Sequence, residues 1–403
     1  MSVPASSKSY VGPLFFVGVL FFMIGFALGI NGLIVPFLRE ALDISKGESY
    51  LVLGATFSTF VIFGYPSGLL IKRIGYKRAM VVSFLFFALG LFLFVPAARM
   101  QSFALFLLAS FISGIGNTLL QAAVNPYITI LGPMESAATR MSMMGIANKA
   151  AWAIAPIFLS LFLDLENVAL QDIYFPFYLI TGTFVLLGLV SMLVPLPEVK
   201  AVGEDDTDSG EGQECAYAAS KTSVFQFPHL MLGLITLLVY VGVETVAMAT
   251  IVDYASSLKL PNPETFTSYT VICMVVGYLV GVFFIPKYIS QSQALFACSI
   301  IGLISSLAIV LVPGSLSIWF VALLGLANSL MWPAIWPLAM SDLGKFTKVG
   351  SSLLVMAIVG GAIFPVLYGW LSDLTSSMQS GYWICFPAYL MIFYYALAGH
   401  KIR

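Results

Sequence analysis

The chain has 403 residues, of which 60% are apolar and only 9% are charged. A soluble domain carries about 25% charged residues, so this composition excludes an ordinary soluble fold. The net charge of −1 provides no basic surface for nucleic acid. The four cysteines are scattered, with no Cys-x-x-Cys pair and no metal-ligand spacing, which argues against a disulfide framework or a zinc site.

The apolar residues are concentrated in long runs. A helix that crosses a bilayer needs about 20 mainly apolar residues. Backbone groups in lipid must bond internally, so such runs predict helices. We therefore predict an all-α polytopic membrane protein with twelve transmembrane helices. These are numbered here as spans one to twelve: 12–38, 49–71, 78–97, 102–130, 137–163, 172–195, 226–255, 265–288, 292–312, 316–341, 347–372 and 381–399.

One connection differs from the others because it is long and polar. Residues 196–224 carry seven acidic side chains and few that could form a core, which predicts a flexible tether. The sequence thus divides into an N-terminal six-helix bundle at 1–195, an acidic linker at 196–224 and a C-terminal six-helix bundle at 225–403. Loops on one side of the membrane hold thirteen lysines and arginines against four on the other. The positive-inside rule therefore predicts that the linker and both termini are cytoplasmic.

The two halves repeat each other at a nearly constant offset of 209–213 residues. The template G-x-x-N-[ST]-L-x-x-x-A-x-x-P occurs at Gly114–Pro126 in span four and again at Gly325–Pro337 in span ten. Shorter matches relate spans one, two and five to spans seven, eight and eleven. Six spans per half keep both halves in one orientation, so the repeat is parallel. Two such bundles form a transporter architecture, with a substrate site between them near the midplane.

The loop after span two, Gly68-Leu-Leu-Ile-Lys72-Arg73-Ile-Gly75-Tyr-Lys77-Arg78, resembles the signature of the major facilitator superfamily, G-x-L-x-D-R-x-G-x-[KR]-[KR]. The resemblance implies a cytoplasmic gate motif formed by Gly68, Arg73, Gly75, Lys77 and Arg78. One position departs from the signature, because Lys72 occupies the usual acid position. The salt bridge of the family's gate is therefore not expected here in its usual form.

Spans four, five and ten resemble a narrower family. The stretches 120–133, 135–149 and 328–338 are similar to the fucose–proton symporter family and its glucose/galactose transporter branch. The resemblance covers nearly the whole chain outside 196–224. It implies cation-coupled uptake of a hexose across a bacterial inner membrane. Fucose symporters carry an acid in span one and a glutamate in span four, where this chain has Asn31 and Gln121. Neither amide can carry a proton, so the fucose-type relay does not transfer to this chain.

A sugar site needs amides, which both donate and accept hydrogen bonds, and aromatic faces for the sugar ring. In span four, Gln121 and Asn125 are four residues apart and share one helix face with Asn117. Trp332 and Trp336 occupy the matching positions of span ten, with Asn328 matching Asn117. We predict that Gln121, Asn125, Trp332 and Trp336 bind the sugar, whereas the two repeated asparagines, Asn117 and Asn328, are structural. The alternative is packing between helices, which amides also support.

Four further residues complete the predicted site. Asn31 in span one either contacts the sugar or satisfies a neighbouring helix, and Asn148 in span five is a substrate residue implied by the resemblance. Glu244 lies inside span seven and Lys149 inside span five. A charge at this depth costs on the order of 3 kcal/mol, so it predicts function. We predict that Glu244 binds substrate and that both residues take part in coupling. The alternative is an ion pair that only fixes helix packing.

These features predict a secondary active transporter that takes up a glucose/galactose-like monosaccharide by cation-coupled symport with alternating access. An uncoupled sugar uniporter and a non-transporting sugar sensor are the alternatives. An enzyme is not expected, because the sequence has no P-loop and no nucleophile–base or metal constellation. We expect no cofactor and no metal site, a coupling ion that is H⁺ or Na⁺, and a monomer in the lipid bilayer. Glucose, galactose, mannose, fucose and N-acetylglucosamine differ by one or two polar groups, so all remain candidate substrates.

Overall fold

The computed structural model of the chain describes residues 11–44, 46–49, 51–163, 169–197, 216–263 and 265–403. Within these ranges the regular structure is entirely helical, which confirms the predicted all-α fold. The spans contain, in order, the helices Val11–Gly29 and Asn31–Leu42, Leu51–Ile74, Tyr76–Arg99, Phe103–Ile130, Ala137–Ser160, Tyr174–Leu193, Pro228–Ala249 and Ile251–Ser257, Thr265–Phe284, Gln291–Leu311, Ser317–Ser329 and Met331–Met340, Thr347–Met356 and Gly360–Thr375, and Cys385–Leu397.

Eleven helical stretches of the described chain are long and apolar enough to cross a membrane. The twelfth predicted span is also helical, but it consists of three successive elements, Met378–Gly381, Tyr382–Ile384 and Cys385–Leu397. The middle element is a tighter 3₁₀ turn. Pro387 has no N–H with which to bond the carbonyl of Trp383, so the α-helical ladder is interrupted at this point.

Span ten is broken where its repeat partner, span four, is continuous. Helix Ser317–Ser329 ends before Leu330, and a new helix begins at Met331. Pro333 lies just after the break, and a proline ring disrupts the preceding helical turn. The matching position of span four is Ala122, an excellent helix former, and helix Phe103–Ile130 passes through it without a break. One substitution between the halves therefore changes the backbone beside Trp332 and Trp336, here called the indole stripe, which matches the amide stripe of Gln121 and Asn125 in span four.

The two halves meet along a small number of helices. Spans two and four contact span eleven, and span five contacts spans eight and ten. Glycines allow the closest approaches: a Cβ on Gly68 would lie 2.2 Å from Ser352 Oγ, and a Cβ on Gly145 would lie 2.6 Å from Tyr278 Cε1. The halves can pack this tightly because these positions carry no side chain, as is typical of helix interfaces in membranes.

Polar contacts join the halves at the end that the charge distribution predicts to be cytoplasmic. The Thr139 hydroxyl donates a hydrogen bond to the Ile285 carbonyl, so the start of span five meets the end of span eight. The Gln291 amide donates to the Met134 carbonyl at 2.7 Å. The structure is thus a conformation in which the halves are closed at this end. The domain boundaries at 195 and 225 stay predictions, because residues 198–215 of the linker lie outside the described residues.

Substitution of Gly116 by valine should destabilise the N-terminal half. A Cβ on Gly116 would lie 2.7 Å from the Ser83 carbonyl oxygen and 2.8 Å from the Phe87 nitrogen, so spans three and four would be forced apart. We expect the free energy of unfolding to fall by about 1–3 kcal/mol. Thermal unfolding of the purified protein in detergent measures the change. Gly182→Val is the matched control, because nothing lies within 4 Å of its Cβ. Equal melting temperatures for the two variants would contradict the prediction.

Candidate functional site

An ion pair connects the two halves at the predicted coupling residues. Lys149 lies midway along helix Ala137–Ser160 of the first half, and Glu244 lies on helix Pro228–Ala249 of the second. Lys149 Nζ is 3.1 Å from Glu244 Oε1, and the two side chains are only 15% and 13% exposed. Removing either charge alone would leave its partner buried and uncompensated, which is costly. The structure therefore brings together the two ionisable residues that the sequence predicted.

Tyr240 also forms a hydrogen bond to the Glu244 carboxylate. Its hydroxyl donates a hydrogen bond of 2.9 Å to Glu244 Oε1, and its side chain is almost fully buried. Tyr240 and Glu244 are four residues apart on one helix, a spacing that places them on the same face. Tyr278 of span eight and Tyr389 of span twelve lie within electrostatic range of the same carboxylate. The carboxylate thus contacts one ammonium group and one phenol.

The two predicted indoles form a stack beside this group. The ring centroids of Trp332 and Trp336 are 5.0 Å apart and their planes are inclined by 29°. Trp336 is fully buried, whereas Trp332 is partly exposed. The ring of Tyr240 lies 6.4 Å from that of Trp332. Aromatic side chains therefore run without interruption from the predicted sugar-binding indoles to the ion pair, and Trp332 is the more exposed of the two indoles.

The amides of span four form a hydrogen-bonded row. The Gln121 side-chain amide donates to Asn117 Oδ1 at 2.9 Å, and the Asn125 side-chain amide donates to the main-chain carbonyl of Gln121 at 2.9 Å. Both Gln121 and Asn125 are buried within the protein and do not face lipid. Asn125 Oδ1 and Trp336 Nε1 are buried without a hydrogen-bond partner among the described residues. Such atoms cost about 1–3 kcal/mol each when left unpaired, so a hydroxyl group or a water molecule there would be favourable.

The repeated asparagines have protein partners. Asn328 Oδ1 accepts a hydrogen bond of 2.8 Å from the Tyr389 hydroxyl, which ties span ten to span twelve. Asn117 accepts from Gln121, as described above. Asn148 donates from its amide nitrogen to the Phe21 carbonyl at 3.1 Å, so part of its hydrogen-bonding capacity links span five to span one. Asn31 begins the second helix of span one, and its side chain lies outside the described residues.

Comparison with known proteins identifies the architecture. The sequence model of the Major Facilitator Superfamily matches residues 16–357. The chain belongs to the Major Facilitator Superfamily. Two solved structures of the superfamily agree with its fold. The transporter FucP, in the outward conformation, gives a TM-score of 0.83 at 23% identity, covering 96% of this chain and 99% of FucP. The proton:xylose symporter XylE gives 0.73 at 13% identity, covering 94% of each chain. At these identities the two structures establish the fold alone.

Named relatives are similar to this sequence over nearly its whole length. A protein of Brucella abortus biovar 1 (strain 9-941) named "Glucose/galactose transporter" is 34% identical, covering 98% of this chain and 96% of the relative. The "L-fucose-proton symporter" of Escherichia coli (strain K12) is 26% identical, covering 97% of this chain and 93% of the relative. The resemblance inferred from spans four, five and ten is therefore confirmed.

The superfamily gate motif is built here with its glycines in place. Gly75 has φ of 82° and starts helix Tyr76–Arg99, while Gly68 allows the close approach of span eleven. Arg73 and Arg78 are exposed and Lys77 is half-buried, and no ion pair to these three is found within the described ranges. Their predicted gate role stays a prediction.

The contact across the halves at this motif is of another kind. Lys348 of the second half lies over the Tyr76 ring of the first, with Nζ 5.4 Å from the ring centroid. This cation–π contact joins the halves next to the position where Lys72 replaces the usual acid.

Sequence reasoning missed Tyr240, Tyr389 and the contact between Lys348 and Tyr76. A signal existed for Tyr240, since it precedes Glu244 by one helical turn and buried tyrosine hydroxyls need a partner. Tyr389 and Lys348 could not be found in this way, because each meets its partner across a distance of many residues in sequence.

The ion pair can be tested by a double-mutant cycle. Lys149→Met and Glu244→Gln should each lower the free energy of unfolding by about 2–3 kcal/mol, below the 3–5 kcal/mol typical of a fully buried pair. Each variant leaves one polar or charged partner without its counterpart. The double variant should lose less than the sum of the single losses, and melting temperatures in detergent give the coupling energy. Additive losses would show that the two side chains do not interact in solution.

Proposed function

We propose that this protein is a secondary active transporter that takes up a glucose/galactose-like hexose by cation-coupled symport. The observation that carries the proposal is the Lys149–Glu244 ion pair, which joins the two halves and is linked through Tyr240 to the indole pair Trp332 and Trp336. Both relatives described above are named as transporters. The Brucella protein is named for glucose and galactose, and the Escherichia coli protein for symport of L-fucose with protons. Alternating access requires that the halves move relative to each other, so a charge pair between them is well situated to control that movement.

Sugar recognition is assigned to the two stripes. Gln121 and Asn125 supply amide groups for the sugar hydroxyls, and the unpaired Asn125 Oδ1 is available as an acceptor. Trp332 offers a partly exposed indole face for the apolar side of the sugar ring, and Trp336 supports it from behind. Asn148 and Asn31 are proposed as further sugar contacts. Combining donors, acceptors and one aromatic face is the usual composition of a small-ligand site.

Coupling is assigned to Glu244, with Lys149 as its counter-charge. A contact between opposite unit charges is worth about 4 kcal/mol at an effective dielectric of 20, before desolvation is subtracted. Protonation of Glu244 removes this attraction while Lys149 keeps its charge. Moving a two-state equilibrium from 1:99 to 99:1 takes about 5.5 kcal/mol, so the pair is of the right size to bias the conformational change.

The proton is favoured over sodium by the occupancy of the carboxylate. Lys149 Nζ and the Tyr240 hydroxyl both contact Glu244 Oε1. A sodium ion on the same carboxylate would lie within a few ångströms of the ammonium group and would be repelled by it. A proton can add to the other oxygen without displacing either partner. One charge moved per cycle is worth about 2.3 kcal/mol per 100 mV, which supports roughly fifty-fold accumulation.

The cellular arrangement follows from the same proposal. We place the protein in a bacterial inner membrane as a monomer, with both termini and the linker 196–224 in the cytoplasm. In that orientation the closed end of the structure faces inward. No group of three or more His, Cys, Asp or Glu side chains that could hold a metal ion occurs in the described residues. The proposed cycle needs no cofactor other than the coupling ion.

Glu244→Gln should abolish accumulation of sugar while preserving exchange. The amide keeps the shape of the side chain but cannot take up a proton, so gradient-driven uptake has no carrier. Counterflow and proton-driven uptake of D-glucose and D-galactose in proteoliposomes separate the two activities. Glu135→Gln is the matched control, because Glu135 is an exposed loop carboxylate. A Glu244→Gln protein that concentrates sugar as the native protein does would refute coupling at Glu244. A native protein that never accumulates sugar would support uniport.

Substitutions in the two stripes should weaken sugar binding. Gln121→Ala leaves sugar hydroxyls unpaired in a buried site, and we expect a loss of about 1–3 kcal/mol in binding free energy. Trp332→Ala removes the ring surface and should weaken binding as well. Calorimetric titration with D-glucose and D-galactose measures both losses. Trp319→Ala serves as the control for the indole, since Trp319 is a half-exposed side chain on another face of span ten. Unchanged affinity in both stripe variants would favour a packing role.

A further inference from the structure

Tyr240 contacts two parts of the site that the proposed function treats separately. Its hydroxyl donates to Glu244 Oε1 at 2.9 Å, and its ring lies against Trp332 with centroids 6.4 Å apart. Only 1% of the residue is exposed, so its position is determined by these neighbours rather than by solvent. A ligand that contacts the exposed part of Trp332 would therefore act on a residue that also donates a hydrogen bond to the coupling carboxylate.

We propose that Tyr240 is the positioning residue that links sugar occupancy to protonation of Glu244. This inference rests on the proposed function, in which Trp332 binds sugar and Glu244 carries the proton. Without sugar, Tyr240 donates to the ionised carboxylate and stabilises its charge. Sugar on Trp332 displaces the Tyr240 ring and breaks this hydrogen bond, which makes protonation of Glu244 easier. By linkage, protonation in turn makes the displacement by sugar easier, and the two effects are equal in size.

The proton balance of this step is simple. Both present partners of the carboxylate, Lys149 and Tyr240, reach Oε1. A proton from the medium adds to Oε2, no bond between heavy atoms changes, and Lys149 and Tyr240 keep their own protons. The pair of side chains Lys149 and Glu244 then changes from neutral to a charge of +1. Tyr240 supplies a hydrogen bond that depends on this state but does not itself ionise.

The other groups that face Glu244 are less suited to this role. Tyr389 interacts with its charge, but its hydroxyl is committed to Asn328 Oδ1 at 2.8 Å. Tyr278 also interacts with it, but the ring packs against Gly145 and the buried methionines Met248 and Met274. Lys149 carries the counter-charge from the other half. Among the described residues, Tyr240 alone combines a hydrogen bond to the carboxylate with a ring contact to the indole stripe.

Tyr240→Phe tests the link, because it keeps the ring against Trp332 and removes only the hydroxyl. The sugar-free protein should then resemble the sugar-bound protein in its proton uptake, since the hydrogen bond to the charged carboxylate is lost. The sugar-bound protein, which has already lost this bond, should be unchanged. The affinity for D-glucose or D-galactose is measured by calorimetry from about pH 5 to about pH 9. Across this range the affinity of the variant should change about tenfold less than the affinity of the native protein.

Tyr389→Phe is the matched control, as it removes another buried hydroxyl near Glu244 without touching the carboxylate hydrogen bond. It should keep the native pH dependence. Tyr240→Met provides a second variant without a hydroxyl, with the same expected loss. Native pH dependence of affinity in folded Tyr240→Phe or Tyr240→Met would overturn the inference. If Glu244→Gln still concentrates sugar, the proposed function fails instead. If Glu244→Gln is uncoupled and Tyr240→Phe behaves as the native protein does, the proposed function stands and only the role of Tyr240 is refuted.

Discussion

A carboxylate deep in a membrane protein requires a compensating charge, and most of the arrangement around the predicted site follows from this requirement. Glu244 and Lys149 come from different halves of the chain and meet at 3.1 Å. Because desolvation of either charge is expensive, the pair favours conformations in which spans five and seven stay close. Both side chains are mostly buried, which strengthens the attraction. An element of this kind resists separation of the halves until one charge is neutralised.

The internal repeat places chemically different side chains at matched positions of spans four and ten. Spans four and ten share a template, yet one presents Gln121 and Asn125 where the other presents Trp332 and Trp336. The backbone differs as well, because Pro333 breaks span ten at a position where Ala122 leaves span four continuous. The amide row is held by bonds within its own helix, whereas the indoles stack on each other and Trp332 lies beside the tilted ring of Tyr240. Divergence of side chains at matched positions thus gives the two halves chemically different helix faces, one polar and one aromatic.

The contacts that close the two halves toward the predicted cytoplasmic end rely on small residues. Gly68 and Gly145 let spans two and five approach the second half at distances that any side chain would prevent. Beside them, Lys348 lies over Tyr76, four residues after Lys72, where the superfamily signature has an acid directly before its arginine. A cation–π contact is weaker and less directional than a desolvated salt bridge. The glycine contacts therefore contribute to the closure, while Arg73 and Arg78 of the motif are exposed and Lys77 is half-buried.

The sequence by itself determined the features that depend on composition and periodicity. Lipid demands internally bonded backbone, so runs of apolar residues predicted the all-α fold, and the repeat with its motifs predicted the superfamily. The last span was less regular than predicted, because Pro387 interrupts its hydrogen-bond ladder. The one-turn spacing of the two amides and of the two indoles also came from the sequence, since residues four apart share a helix face.

What the sequence could not decide were the partners from other helices. That Lys149 meets Glu244, that Tyr240 joins the carboxylate to Trp332, and that Tyr389 rather than a ligand satisfies Asn328 all depend on how helices are rotated and docked. Rotation and docking are set by side-chain packing summed over the whole interface, which no local pattern encodes.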